Sequence, residues 1–291
     1  MSAREPECVW PLDAELGEGP VWSARERALW FVDIKQKKIH RYDATTGDGR
    51  SWDAPAQPGF LAPLKDGSFI AGLQTGLHRF HPESGAFTYL YDVEPQRPGN
   101  RLNDGAVDPR GRLWFGSMDD AEAEATGCLY RLDSSGPRVM DTGYVITNGP
   151  TFSPDGKRLY HTDTLKKIVY AFDLDEDGAI SNKRVFTVIE DGAGHPDGPC
   201  VDSEGCVWTG LFAGWSARRY APTGELLETV RFPCANITKL AFGGPDLKTA
   251  YATTAWKGMS AEARIQQPLA GALFRFQVDV PGLPQYEVAH G

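Results

Sequence analysis

The chain of 291 residues is informative first for what it lacks. It has no run of eighteen apolar residues, so no helix is expected to span a membrane. Lys and Arg number only 30 against 39 Asp and Glu, for a net charge of -9, which argues against a nucleic-acid partner because phosphate contacts need a basic face. The first residues, MSAREPECVW, lack the basic and apolar regions of a secretory signal, so we expect a cytoplasmic protein.

Cysteine is scarce, and several catalytic motifs are absent. The five cysteines are odd in number, form no CxxC pair and are scattered through apparent strands, which favours free thiols over a disulfide framework or a thiolate zinc site. The sequence contains no GxSxG, GxxxxGK[ST], GxGxxG or HExxH motif. We therefore expect neither a serine hydrolase, nor a nucleotide-binding fold, nor a protease of the HExxH type.

Helical periodicity is nearly absent, whereas short alternating strands recur along the chain. Only residues 259–271, MSAEARIQQPLAG, predict a helix, and Pro268 should end or kink it. Runs such as ALWFVDI, RLWFGSM and RLYHTD alternate apolar and polar residues between clusters of Gly, Asp, Asn and Pro. The sequence therefore predicts an all-β protein.

Six segments of the chain align with one another, each with a strand, a turn rich in Asp, Gly or Pro, and a second strand. A repeat of about 40 to 50 residues carrying four strands is typical of β-propeller blades, so we predict one six-bladed β-propeller domain over residues 1–291. The run CVWPLDAEL, before the first repeat, is expected to pair with the last blade and close the ring. The residues at the opening position of the repeats are Glu18, Phe60, Asn103, Asn148, Asp197 and Thr238.

Radial blades would bring these opening residues to one level of a central channel. Two carboxylates and two amide oxygens, from Glu18, Asp197, Asn103 and Asn148, would then form a polar constellation, with Phe60 and Thr238 completing the ring. Hard oxygen donors suit calcium, magnesium or manganese, and iron(II) or zinc could also occupy such a site. The alternative is that Asp and Asn before Gly only form turns, but Glu has no such turn chemistry.

Further polar residues follow in the third repeat. Arg101 supplies a rigid fork of donors, and its alternative role is a solvated surface charge. Asp119 and Asp120 follow the second strand of that repeat, where acidic residues are equally typical of a solvated loop. The segments DPRG, SPDG and DSEG lack the ligand spacing of a calcium loop and are predicted as hairpin turns.

The motifs LGEGPVW, NRLNDGAVDPRGRLWFGSMD, ITNGPTFSPDGKRLYHTDT and PDGPCVDSEGCVW together resemble the SMP-30/gluconolactonase/regucalcin family over essentially the full chain. The segments FVDIKQKKIHRY, YHTDTLKKIVYAFDL and FGGPDLKTAY are most similar to bacterial pentonolactonases, in particular xylonolactonases. The resemblance implies a six-bladed propeller with one channel cation, and hydrolysis of sugar lactones.

Carried over position by position, the resemblance makes Glu18, Asn148 and Asp197 the metal ligands and Arg101 and Asn103 the substrate-binding residues. The family's further substrate-contacting Glu has no identical counterpart, because this chain has GSMDDA, with alanine at that position. Asp119 or Asp120 is expected to replace it in binding the substrate.

A lactone carbonyl needs polarisation, an attacking water and a route for protons, and Asp197 is predicted to act as ligand and general base together. We expect a monomeric, metal-dependent sugar lactonase that converts D-xylonolactone to D-xylonate, with a small-molecule substrate and neither a nucleic-acid nor a membrane partner. L-Arabinono- and gluconolactone remain alternatives, as does esterase or phosphotriesterase activity at the same metal. A non-catalytic propeller that binds calcium or serves as a scaffold is the alternative from another class.

Overall fold

Short antiparallel strands make up nearly all of the regular structure in this computed structural model, which describes residues 4–289. The all-β prediction is confirmed. In chain order the elements are β1 (Glu7–Trp10), β2 (Gly17–Ser23), β3 (Ala28–Asp33), β4 (Lys38–Asp43), β5 (Gly49–Asp53), β6 (Pro58–Pro63), β7 (Phe69–Leu73), β8 (Gly76–His81), β9 (Ala86–Tyr91), β10 (Asn100–Val107), β11 (Leu113–Asp119), β12 (Gly127–Asp133), β13 (Gly136–Tyr144), β14 (Thr147–Phe152), β15 (Arg158–Asp163), β16 (Ile168–Leu174), β17 (Ile180–Val188), β18 (His195–Val201), β19 (Val207–Phe212), β20 (Ser216–Tyr220), β21 (Leu226–Arg231), β22 (Asn236–Gly243), β23 (Thr249–Ala255), α1 (Ala261–Gln266) and β24 (Leu273–Gln277).

The prediction of six blades is wrong. Among the described residues, four separate sheets have four strands each, β2–β5, β6–β9, β10–β13 and β14–β17. The remaining strands form one eight-stranded sheet in the order β1-β24-β23-β22-β18-β19-β20-β21. A parallel bridge between Gly198 of β18 and Lys239 of β22 joins what the repeat had predicted as two blades. The spacing of the repeats cannot reveal that bridge, because the bridge depends on how closely two inner strands approach in space.

The first strand of each repeat, here called an inner strand, contacts the next inner strand around a closed ring of β2, β6, β10, β14, β18 and β22. Closure also uses β1, which pairs antiparallel with β24, so the predicted pairing of the N-terminal run with the last repeat is confirmed. The predicted helix is shorter than its sequence pattern: Ser260 caps α1, which ends at Gln266, before Pro268. None of the helices formed by residues 4–289 has the length and apolar character that crossing a bilayer requires.

Every inner strand loses register with its neighbour close to the opening position of the repeat. Such a break is a β-bulge or a similar irregularity of the ladder, and a bulge bends the strand and re-aims a side chain. Gly19 (φ 56°) and Gly149 (φ 83°) have left-handed backbone conformations at these breaks, which explains why glycine follows the opening residue there. The breaks lie between Glu18 and Val21, Pro58 and Phe60, Leu102 and Gly105, Asn148 and Thr151, Pro196 and Pro199, and Ile237 and Leu240.

Large aromatic side chains from the second strands fill the core between sheets. Trp30, Trp114 and Trp208 occupy equivalent positions in β3, β11 and β19 and are all but completely buried. Phe60, expected to complete the polar ring, instead stacks on Phe115 with ring centroids 5.7 Å apart. The five cysteines are free thiols, as predicted. The predicted single domain over 1–291 includes residues 1–3 and 290–291, which lie outside the described residues, and it stays a prediction.

Candidate metal and active site

Two buried carboxylates lie side by side at the centre of the ring. Glu18 and Asp197, 179 positions apart in sequence, are 4% and 6% exposed, and their side chains are in hydrogen-bonding contact. Burial, followed by the negative charge of Asp104, raises the pKa of Glu18 to about 7. Burial and the charge of Glu18 likewise raise the pKa of Asp197 well above its usual range. Each of these two carboxyl groups therefore disfavours ionisation of the other unless a cation is present.

Two asparagines extend this polar centre. The Asn148 Oδ1 accepts a hydrogen bond from Asn103 Nδ2 (3.1 Å), and its Nδ2 donates to Thr164 Oγ1 (2.9 Å). Asn103 Nδ2 also donates to the carbonyl oxygen of Thr147 (2.6 Å). These bonds fix which amide atom is oxygen, and they leave Asn148 Oδ1 with a second lone pair for another partner.

Arg101 is buried beside the asparagines rather than exposed on the surface. Its Nη1 donates to Asn103 Oδ1 (2.6 Å) and its Nε to Asp120 Oδ1 (2.7 Å). Within residues 4–289 the hydrogen bonds of this guanidinium use Nε and Nη1. Nη2 is therefore available to donate to an oxygen of a ligand. The fork is therefore held in one orientation by two acceptors before any ligand arrives.

Asp119 and Asp120 have different surroundings. Asp120 accepts hydrogen bonds from Lys35 Nζ (2.6 Å), Gln57 Nε2 (3.1 Å) and Arg101. Partial burial acts to raise its pKa, but the bonds from Lys35 and Gln57 and the charge of Arg101 lower it to about 2. Asp119 instead accepts backbone N–H groups of the loop that follows it, including those of residues 123 and 124. The structure thus brings Asp120 to the site and leaves Asp119 in a loop-forming role.

A second buried pair, Asp104 and Lys239, lies next to the carboxylates. Neither residue was among the metal ligands predicted from the sequence. Lys239 Nζ donates to Asp104 Oδ1 (2.5 Å), and both charges act on the pKa of Glu18. A sequence signal for the pair does exist. Each residue directly follows an opening position, after Asn103 and Thr238, where three other repeats have glycine.

The donor set fits a divalent cation held by few protein groups. Residues 4–289 contain no cluster of three or more His, Cys, Asp and Glu side chains placed to hold a metal ion. The centre instead offers two carboxylates and the amide oxygen of Asn148, and oxygen donors are what calcium, magnesium and manganese prefer. Two adjacent buried carboxylates that disfavour each other's ionisation are the physical feature that such an ion would relieve.

The hairpin segments DPRG, SPDG and DSEG form turns between strands, as predicted. Asp202, for example, accepts the backbone N–H of Cys206 (3.0 Å) and the indole N–H of Trp208 (3.0 Å). Of the histidines considered from sequence, His161 is a core residue that packs edge-on against Tyr144, with ring centroids 4.8 Å apart. His195 Nδ1 lies 3.4 Å from the Thr164 carbonyl oxygen, on the strand that carries Asp197.

Residues 16–256 match the family described as "SMP-30/Gluconolactonase/LRE-like region". The chain belongs to this family. The predicted family is therefore confirmed, and the expectation of an enzyme of the sugar-lactonase class is confirmed at the level of the family. The finer resemblance to xylonolactonases stays a prediction.

Relatives and solved structures match nearly the whole chain. A 6-deoxy-6-sulfogluconolactonase of Pseudomonas putida is 35% identical over 278 residues, covering 95% of this chain and 96% of that protein. A regucalcin of Danio rerio is 36% identical over 293 residues, covering 98% and 99%. The structure of a calcium-binding protein, regucalcin, from Agrobacterium tumefaciens superposes with a TM-score of 0.94 at 25% identity, covering 99% and 98% of the two chains.

Proposed function

We propose that this protein hydrolyses a sugar aldonolactone to the corresponding aldonic acid, with a divalent cation held by Glu18, Asn148 and Asp197. The observation that carries this proposal is the pair of buried, adjacent carboxylates beside a fixed arginine. Membership of a family that includes a sulfogluconolactonase supports the lactone as substrate. Calcium, iron(II), zinc, manganese and magnesium are the ions to be compared.

In the reaction, water adds to the lactone carbonyl carbon, the ring C–O bond breaks, and the ring oxygen leaves as an alcohol after it gains a proton. The cation, when bound, supplies a Lewis acid for the carbonyl oxygen. Asp197 takes the proton of the attacking water as general base, because its carboxylate is buried at the centre of the ring. Glu18 and Asn148 then act as ligands only.

Substrate orientation falls to the polar group around Arg101. Arg101 Nη2 and the Asn103 amide are proposed to contact the ring hydroxyl oxygens of the sugar. Asp120 holds the guanidinium through Nε, so it acts on the substrate through Arg101 and through its own exposed edge. Asp119 remains the second proposed replacement for the family's substrate-contacting Glu, and its position in the loop makes it the weaker of the two.

D-Xylonolactone is the proposed substrate, on the resemblance of FVDIKQKKIHRY and the other quoted segments to xylonolactonases. L-Arabinono- and D-gluconolactone are the alternatives within the same chemistry. Acid release from the three lactones, measured in a pH-stat with spontaneous hydrolysis subtracted, gives kcat/KM for each. A preference for gluconolactone would overturn the pentonolactone assignment and leave the lactonase intact.

Chelation tests the role of the cation. Exhaustive removal of metal should abolish turnover, and adding back one ion from the series should restore it, with metal content measured in the same preparation. Full turnover by a metal-free preparation would contradict the assignment.

Calcium binding without catalysis is the second candidate, favoured by the regucalcins among the relatives. It predicts stoichiometric calcium binding with no acid release from any of the three lactones. Acid release that depends on the ion contradicts this candidate.

A further inference from the structure

We propose that Lys239 makes the channel select a divalent ion over a trivalent one. Lys239 neutralises Asp104, so that only Glu18 and Asp197 face the ion as uncompensated charges. The inference rests on the proposed function, because it concerns the cation that those residues hold. It assigns a specificity role to a residue whose ammonium group is paired with Asp104.

The first argument is the geometry of the Asp104–Lys239 pair. Asp104 is fixed by two backbone N–H groups, Gly105 N to Oδ1 (2.8 Å) and Gly149 N to Oδ2 (2.7 Å). Lys239 Nζ completes its set of donors at 2.5 Å. The side chains of Asp104 and Lys239 are 2% and 8% exposed, so solvent does little to screen their charges. The pair is therefore a permanent part of the electrostatics of the channel.

The second argument is the path of the lysine side chain. Gly198, the residue after Asp197, has no side chain, and a Cβ placed there would lie 2.6 Å from Lys239 Cδ. The same two residues form the bridge that joins β18 to β22. The aliphatic part of Lys239 therefore passes directly across the backbone next to Asp197, and only glycine permits this. The ammonium group is buried and is paired with Asp104 next to the carboxylates.

The third argument is the surroundings beyond the lysine. Toward the hairpin ends of the inner strands lies a small cavity of about 100 Å³, bounded by glycines, prolines and apolar side chains and by residues 283–286 near the C-terminus. Lys239 is the one charged side chain among the described residues that line it. No other cation in that lining can replace the lysine as the partner of Asp104.

Counting charges gives the consequence. Around a bound ion, with all three carboxylates ionised, Glu18, Asp104 and Asp197 against one ammonium leave two net negative charges, which balance a divalent ion. Without Lys239 the site would carry three and would balance a trivalent ion. Because the attraction grows with the charge of the ion, the ratio of trivalent to divalent affinity reports the net charge of the site.

The test measures Ca²⁺ and La³⁺ affinities by isothermal titration calorimetry, without any assay of catalysis. Lys239→Met should raise the ratio of La³⁺ to Ca²⁺ affinity at least about tenfold, the order of effect that a unit charge a few ångströms away produces. Asp104→Asn should lower the ratio by a similar factor. The double variant Asp104→Asn/Lys239→Met removes both charges and should return the ratio to within about threefold of the unsubstituted protein.

Lys157→Met is the matched control, because Lys157 is exposed in a hairpin and its removal changes the total charge equally. It should leave the ratio unchanged. Near-ultraviolet circular dichroism checks that each variant is folded, and if Lys239→Met does not fold, Asp104→Asn and the double variant still decide.

Calcium binding with the same ratio in all folded variants would overturn the inference and leave the proposed function standing. No binding of either ion by the unsubstituted protein would overturn both the inference and the metal assignment.

Discussion

Asp197 lies near the start of β18, and Asp202 comes directly after its last residue, five positions later. Both are buried, yet their surroundings differ completely. Asp202 accepts four hydrogen bonds, from the backbone N–H groups of residues 204 and 206, the Trp208 indole and Arg219 Nε. Asp197 has another carboxylate, Glu18, against it. One aspartate is saturated with donors, and the other meets a second carboxylate that disfavours its ionisation.

The difference separates structural from functional carboxylates in this fold. At the hairpin end, the turn itself delivers backbone donors to the aspartate, as it also does to Asp108 in the third repeat. At the ring end, register breaks in the inner strands that carry Glu18 and Asp197 accompany two carboxylates placed against each other. A buried carboxylate with a full set of donors contributes stability, whereas one facing another carboxylate favours a cation.

The largest effect is expected from Asp197→Asn. The change keeps the shape of the side chain but removes the general base and one anionic ligand, so kcat for lactone hydrolysis should fall about a thousandfold or more. Folding should be unaffected or slightly favoured in the absence of metal, because a neutral amide replaces a buried carboxyl group whose ionisation is disfavoured beside Glu18. Steady-state kinetics in defined metal, beside urea unfolding, checks both. Asp155→Asn, in an exposed turn, is the control, and near-normal turnover by the Asp197 variant would exclude the assignment.

Asp202→Asn should lower the stability of the protein and leave its turnover nearly unchanged, the reverse of Asp197→Asn. It loses charge-assisted hydrogen bonds to Arg219 and to the Trp208 indole in a buried position, so the free energy of unfolding should fall by about 2 to 4 kcal/mol. Turnover per folded molecule should stay within about twofold, because this end of β18 is remote from the ring centre. A large loss of kcat with normal stability would contradict the proposed distinction between structural carboxylates at the hairpin end and functional carboxylates at the ring end.

Asp120→Asn tests the hydrogen bonds around Arg101. Loss of the carboxylate weakens the hold of Asp120 on Arg101 Nε and on Lys35 Nζ, while Arg101 keeps its bond to Asn103. We expect KM to rise about tenfold with a smaller change in kcat, the pattern for loss of substrate orientation. Because hydrogen bonds hold the pKa of Asp120 near 2, the carboxylate is ionised throughout the neutral range, and its effect on KM should not vary between pH 5 and 8. An unchanged KM would remove Asp120 from the binding residues.

Asp119→Asn should give the smallest effect. Its carboxylate accepts loop N–H groups instead of the guanidinium, so KM should change by less than about threefold, less than for Asp120→Asn. The same lactone kinetics compares the two variants side by side. A greater KM increase for Asp119 than for Asp120 would reverse their assignment.

Much of this arrangement could be predicted from the repeat. The register placed Glu18, Asn148 and Asp197 at equivalent positions, and the structure brings the carboxylates of Glu18 and Asp197 into contact. It also predicted the pairing of the N-terminal run with the last repeat, which β1 and β24 confirm. The role of Glu18, Asn148 and Asp197 as metal ligands stays a prediction. Local patterns succeed here because each repeat has the same strand, turn and bulge chemistry.

Interactions between repeats could not be predicted in the same way. The predicted six blades failed at the bridge between Gly198 and Lys239, and the pairing of Lys239 with Asp104 joins residues 135 positions apart. The sequence could not distinguish Asp119 from Asp120 as substrate-binding candidates. The structure distinguishes them, because Asp120 is the one that accepts a hydrogen bond from Arg101. Such contacts depend on distances between strands, which no periodicity contains.

The sequence by itself determined the all-β class, the repeat, the hairpin turns and the set of polar residues at the opening positions, because strand alternation and turn chemistry are local properties. Only the tertiary structure decided which carboxylates are saturated and which face each other, and that a lysine lies against Asp104. The physical reason is that the ionisation and the partners of a buried charge are set by neighbours contributed from distant parts of the chain.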